Sequence, residues 1–207
     1  EARTIYTEAG AGYSARWIAT DQITCGSQSR SIVITAEGKR YFSDYPKEEV
    51  SVAAKDGEIW ATDQERSYKL SREGDIFYNP LLSPNQKLVV YEGLGTGLYV
   101  SDLCGEICIH LGKGNHPAWA PDSGRIFFDR SQDDGSNLTA SDIFMVDLAQ
   151  LSTETNLTAN FAGIAQRSSV SPDGRYVAFD AEGKIFAADL EQRADEVREI
   201  RITRRTE

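Results

Sequence analysis

Two histidines, three cysteines and one methionine are all that a chain of 207 residues carries. That scarcity removes much catalytic and metal chemistry at the outset. His110 and His116 alone do not make a histidine-based metal cluster, and the chain contains no Gly-x-Ser-x-Gly, no His-Glu-x-x-His and no phosphate-loop pattern. No apolar run approaches the length of a membrane span, and Glu1-Ala2-Arg3 lacks the apolar segment of a signal peptide. The chain therefore reads either as cytosolic or as a mature or trimmed form. Positive charge is short as well: 22 Lys and Arg stand against 32 Asp and Glu, a net charge of −10. This balance argues against nucleic acid or anionic lipid as the main partner. The crowded Arg198, Arg201, Arg204 and Arg205 read as solvated edge-strand charges.

What is present in quantity is a repeated turn-and-strand unit. Ser171-Pro172-Asp173-Gly174 is a tight turn, with φ preset by the proline, and it leads into Arg175-Tyr176-Val177-Ala178-Phe179-Asp180. Glu182-Gly183 reverses the chain into Lys184-Ile185-Phe186-Ala187-Ala188-Asp189-Leu190. The aspartate closing this second strand recurs as Asp21, Asp63, Asp102, Asp147 and Asp189, at intervals of 42, 39, 45 and 42 residues. A period near forty residues with several short strands per unit predicts a β-propeller. Apolar side chains on both faces of 143–146 and 177–179 fit sheets sandwiched between neighbouring blades.

The expected fold is all-β: one domain over 1–207, a five-bladed propeller of roughly four-stranded antiparallel blades at 1–38, 39–74, 75–114, 115–163 and 164–207. Strands a to d are counted from the channel outward. Blade one is read as b at 4–8, c at 15–21 and d at 31–35, without a strand a; blade two begins with strand a at 40–43. Only Arg204-Arg205-Thr206-Glu207 follow the last strand, so an irregular seam is expected between the first and last blades. The polar stretch 131–140 reads as a loop inserted between strands b and c of blade four. Its acidic run Gln132 to Asn137 lacks the ligand alternation of a calcium loop. Gly93-Leu94-Gly95-Thr96-Gly97 reads as a hairpin loop. Asn137-Leu138-Thr139 and Asn156-Leu157-Thr158 match the glycan acceptor pattern, the second being the strand-d ending of the repeat.

Within 116–158 the unit reads His-Pro-Ala-Trp-Ala-Pro-Asp, then Ile-Phe-Phe, then Asp-Ile-Phe-Met-Val-Asp-Leu, then Leu-Thr. This resembles the TolB-type, or PD40, propeller repeat, with 167–190 the next best copy. Blade three departs from it with Asn85 at the turn aspartate. The resemblance implies blades around a central channel, a periplasmic or extracellular location and a protein or peptide partner bound at the channel mouth. Some relatives are appended to peptidase domains.

The aspartate repeated in every blade reads as a cap of the turn between strands c and d, not as a catalytic acid. Tyr41, Asn79, His116 and Arg167 occupy equivalent places on the inner strands and would form a polar ring at the channel mouth. Such a ring suits a carboxylate or a peptide C-terminus. Cys104 and Cys108 flank a tight turn and allow either a disulfide or free thiols; Cys25 is left over. No catalytic residue, metal site or cofactor is expected. The leading functional expectation is a non-catalytic binding or scaffold module. The alternative is a carbohydrate-binding or glycosidase-like propeller, which would need a facing pair of carboxylates. The inner strands as read carry no acid except Asp44.

Overall fold

The computed structural model describes residues 50–191 apart from Gln64, together with the backbone of the strands within 15–43 and of the strand at 197–200. The described residues contain strands and turns and no helix. The chain divides into two compact units, the larger being Glu49–Ile200. The expected strand at 4–8 and the chain after 203, which carry the seam, lie outside the described residues.

In the smaller unit, β1 (Ala15–Ala19), β2 (Gln22–Cys25), β3 (Ser31–Thr35) and β4 (Arg40–Ser43) form an antiparallel meander in that order. Two expectations are corrected here. The strand expected over 15–21 is described only to Ala19 and pairs with a further strand from Gln22, while Asp21 itself lies outside the described residues. The segment 40–43, expected to begin blade two, is instead hydrogen-bonded to β3, with Tyr41 opposite Val33. The two corrections are linked. The hairpin adds a strand, β2, between the two expected at 15–21 and 31–35, so 40–43 falls fourth in this sheet, and β3, rich in β-branched residues, pairs along both of its edges.

The larger unit is a succession of propeller blades. The first is the three-stranded sheet of β5 (Ser51–Lys55), β6 (Glu58–Thr62) and β7 (Ser67–Lys69). Three four-stranded meanders follow: β8 (Phe77–Leu82), β9 (Leu88–Gly93), β10 (Gly97–Asp102) and β11 (Cys108–Gly112); β12 (Asn115–Trp119), β13 (Arg125–Asp133), β14 (Leu138–Asp147) and β15 (Glu154–Asn156); β16 (Gln166–Val170), β17 (Tyr176–Ala181), β18 (Lys184–Asp189) and β19 (Val197–Ile200). They are called blades two to five below.

Strand alternation divides the apolar residues among three cores, each between successive blades. Val89 and Tyr91 turn from blade three towards Ile59, Ala61 and Leu70 of blade two. Val90, between them, turns the other way, to Ile126 and Phe128 of blade four. Phe127 then turns to Val177 and Phe179 of blade five. The sheets of blades three and four are thus apolar on both faces, and Phe127 and Phe128 are both fully buried although adjacent in sequence. Burial of one such side chain contributes about 1.5–3 kcal/mol, so the stacking of blades is held by alternating neighbours within single strands.

The repeated polar residues close the turns between these strands. Asp63 Oδ1 accepts the N–H groups of Glu65 and Arg66 at 2.9 Å, and Asp102 Oδ1 accepts those of Glu106 and Ile107 at 3.0 and 3.1 Å. Asp147 and Asp189 cap Ala149 and Glu191 in the same way. These backbone bonds hold the Asp63 carboxyl below its ordinary pKa. In the turn between strands a and b, Asn85 serves blade three as Asp122 and Asp173 serve blades four and five: its Oδ1 accepts the Lys87 N–H at 3.1 Å, as theirs accept those of Gly124 and Arg175 at 2.8 and 3.0 Å. The Leu-Ser and Leu-Thr endings also have a reason. Leu70 and Leu157 fill cores, while Ser71 Oγ accepts the Ile59 N–H at 3.0 Å and Thr158 Oγ1 accepts that of Ile143 at 2.9 Å.

The stretch 131–140 is not a loop, as expected, but a continuation of the β13–β14 hairpin, paired through Ser131 with Ser141, Gln132 with Ala140 and Asp133 with Leu138. Thr139 Oγ1 donates to the Gln132 carbonyl, and Asp134 Oδ1 closes the tip by accepting the N–H groups of Ser136 and Asn137. The acids that invited a calcium reading therefore hold their own turn.

Candidate functional site

In an antiparallel blade the start of strand a, the end of strand b and the turn from b to c come together at one end. At that end, three of the expected site residues occupy equivalent places on β8, β12 and β16. Asn79, His116 and Arg167 have φ of 52°, 49° and 52°, in the left-handed region that side-chain-bearing residues seldom enter. Each sits at a break in strand pairing: between Tyr78 and Leu81, between Asn115 and Ala118, and between Gln166 and Ser169. A β-bulge with a left-handed residue turns that side chain out of the regular alternation. Strain of this kind is retained where the surrounding structure imposes it, and it gathers at functional positions.

Each of the three meets an acid thirteen residues on, at the end of its own strand b. Asn79 Nδ2 donates to Glu92 Oε1 at 2.6 Å, His116 Nδ1 to Asp129 Oδ1 at 2.8 Å, and Arg167 Nη1 to Asp180 Oδ2 at 3.4 Å. The acids escape a reading that looks for site residues on strand a alone. Their signal is present in the sequence all the same: Glu92, Asp129 and Asp180 each follow the turn prolines Pro84, Pro121 and Pro172 by eight residues.

Burial differs along the series. Glu92 and Asp129 are 3% and 0% exposed, whereas the Arg167–Asp180 pair lies open to solvent. Asp129 Oδ1 also accepts the backbone N–H of Arg167 at 3.0 Å, so one carboxylate oxygen joins blades four and five. Its other oxygen, Oδ2, is buried and has no hydrogen-bond partner. The pKa of His116 is raised from its ordinary 6.5, first by the bond to Asp129 and further by the charges of Asp129 and Glu92. Partial burial and the Arg167 charge oppose the rise.

Tyr41, the fourth expected residue, lies on β4 in the other unit, and its side chain is outside the described residues. Cys104 and Cys108 stand as free thiols: Cys104 is exposed at the turn crest, and Cys108 Sγ lies 3.4 Å from Tyr91 Oη on the half-buried start of β11. The disulfide reading is thus not realised. His110, on the outer strand β11, stacks on Tyr99 at 4.6 Å between ring centroids. Among the described residues, no group of three or more His, Cys, Asp or Glu is placed to hold a metal ion. No helix among them is long and apolar enough to cross a membrane.

No protein-family model matches the chain, and no curated protein matches it in sequence. Solved structures do match. A putative TolB from Agrobacterium tumefaciens aligns over 96% of this chain and 65% of its own, with TM-score 0.54 and 16% identity. Dipeptidyl peptidase 4 of Porphyromonas gingivalis aligns over 96% of this chain and 40% of its own, at 0.57 and 12%. An oligogalacturonate lyase solved in complex with manganese aligns over 84% and 60%, at 0.56 and 12%. The chain therefore spans less than two thirds of each of these proteins. Likeness at this identity establishes the fold, a β-propeller, as expected from the repeat.

Proposed function

We propose that this chain is a binding module whose partner, a protein or peptide, docks at the end of the propeller where strands a begin. The observation that carries the reading is the threefold recurrence of a left-handed residue, polar in each case and paired with an acid, on successive inner strands. Strained positions gather at functional sites, and three copies at one end set three different polar side chains on one surface, as a recognition surface built from repeats uses them. The side chains differ from blade to blade, amide, imidazole and guanidinium, on an unchanged backbone, and this is how repeats acquire specificity.

Each carboxylate is engaged by a donor of its own blade. That arrangement supports recognition more than acid–base chemistry, which asks for a carboxyl poised against a reacting group. The fold neighbours include a TolB, a peptidase and a lyase, so the fold by itself does not choose among roles. A periplasmic or extracellular setting, implied by the repeat's resemblance, belongs to this proposal.

The test is selection of peptides from a random displayed library on the wild-type chain, followed by affinity measurement on the variant N79A/H116A/R167A, with its fold checked by circular dichroism. We expect the selected peptides to lose at least tenfold in affinity. Equal binding to the variant would remove the strand-a end as the recognition surface.

A further inference from the structure

In the pairs at the strand-a end the donor faces solvent while the acid stands behind it. The side chains of His116 and Arg167 are 42% and 64% exposed, and Asn79 is exposed as well. Glu92 and Asp129 are buried, and Glu92 also holds the Tyr78 hydroxyl; Asp180 alone of the three acids is partly open to solvent. Each donor spends one N–H on its acid, from Asn79 Nδ2, His116 Nδ1 and Arg167 Nη1. Each keeps another that no group among the described residues takes: the second Nδ2 hydrogen of Asn79, the Nε2–H of the charged His116 ring, and the remaining guanidinium hydrogens of Arg167.

We propose that this end recognises an extended peptide by its main-chain carbonyls, which accept the outward N–H groups of Asn79, His116 and Arg167. The inference rests on the reading of the strand-a end as a partner surface and names the group that the partner presents there.

Charge and burial decide between ligands. Three acids outnumber two cations even when the imidazole is charged, and both cations are already paired. An incoming carboxylate is repelled by that excess. An incoming ammonium or guanidinium meets the opposite obstacle, because Glu92 and Asp129 lie behind their donors and reaching them breaks an existing bond. A neutral acceptor meets neither obstacle. Recurrence then selects the main chain among neutral acceptors. The same donor position repeats on β8, β12 and β16, and a main chain supplies an acceptor at every residue whatever its side chains.

Asp129 fixes how His116 takes part. A carboxylate accepts and does not donate, so Nδ1 keeps its proton in both charge states and the proton lost on neutralisation is the one on Nε2. The outward nitrogen then turns from donor to acceptor. Facing the ring are Asp129 of β13 and Glu92 of β9, which favour its charged form, while partial burial and Arg167 of β16 oppose it. Carbonyl recognition is therefore expected to weaken as pH rises through the raised pKa of His116.

The experiment titrates the whole chain with an alternating alanine–glycine pentapeptide in three forms: both ends blocked by acetyl and amide groups, a free carboxylate only, and a free amino terminus only. Binding is followed by NMR at the Asn79 side-chain amide, the His116 imidazole and the Arg167 guanidinium. We expect the blocked peptide to shift all three sets of signals, with neither charged form binding tenfold more tightly. Its affinity is expected to fall about fivefold between about pH 6 and pH 9, as one donor of three is lost. His116→Asn, which gives blade four the residue that blade three has at this place, is expected to bind it equally at both pH values. Asn79→Gly, which keeps the left-handed backbone without strain, is expected to weaken it about fivefold. A charged form binding tenfold more tightly, or a wild-type affinity that does not change with pH, overturns carbonyl recognition while the partner surface stands. If no form of the peptide moves any of the three signals, the inference fails, and the binding reading is then judged by the library selection alone.

Discussion

Asp129 and Arg167 are joined across two blades: the buried carboxylate of the first accepts the backbone N–H of the second at 3.0 Å, thirty-eight residues further along the chain. The same oxygen holds His116, so the residue that organises blade four also sets the place where blade five begins. Asp129→Ala leaves two donors without their acceptor and is expected to cost about 2–4 kcal/mol. Asp180→Ala, whose partner is exposed, is expected to cost below about 1 kcal/mol. Urea unfolding of the two variants checks the contrast, and equal costs would refute the clamp.

The His116 imidazole is more basic in the folded chain than its ordinary 6.5. A raised folded pKa means that protonation favours the folded state. The stabilisation is complete below about pH 6.5 and is lost as pH rises through the folded value. Asp129 and Glu92 are the groups that favour the charged ring, and Arg167 is the one that opposes it. Melting temperatures of wild type and His116→Asn, measured from about pH 6 to pH 9, are expected to converge as pH rises, because only the wild type carries this term.

Gln86, Ser123 and Gly174 share the third position of the turn between strands a and b, with φ of 57°, 60° and 71°. Only blade five places there a residue to which this conformation comes without steric cost. Gln86→Gly is therefore expected to stabilise the chain by about 0.5–1 kcal/mol, read as a higher urea midpoint at unchanged slope. Ser123 is the poorer choice for this substitution, since its Oγ accepts the Asn85 N–H at 3.0 Å.

Ser71→Ala and Thr158→Val each remove the side-chain acceptor of a buried strand amide, those of Ile59 and Ile143. A cost of about 1–2 kcal/mol is expected for each. The two sites lie in different blades, so the double variant is expected to show additive losses within about 0.5 kcal/mol.

Much of this was legible in the sequence because it is local and repeated. The aspartates at Asp63, Asp102, Asp147 and Asp189 bond amides two to five residues away, and the Leu-Ser and Leu-Thr endings sit at fixed offsets. The same signal misled at the start of the chain. Trp17-Ile18-Ala19-Thr20-Asp21-Gln22 copies Ile59-Trp60-Ala61-Thr62-Asp63-Gln64 almost residue for residue, yet β1 pairs with a strand that begins already at Gln22, and β4 closes onto β3. Local identity does not fix which strand pairs with which.

The sequence by itself determined the blade: its turns, its caps, its apolar alternation and the period that makes it a propeller. Those depend on contacts within a hairpin, where spacing and residue type are enough. Only the tertiary structure decided what the strand-a residues do. Asn79, His116 and Arg167 looked like free donors awaiting an anion because the acids that occupy them come from strand b, brought opposite by a bulge that no residue type announces. The Asp129 link to Arg167 exists only once neighbouring blades are stacked. Charge at the site is a sum over strands, and the chain order of its members does not carry that sum.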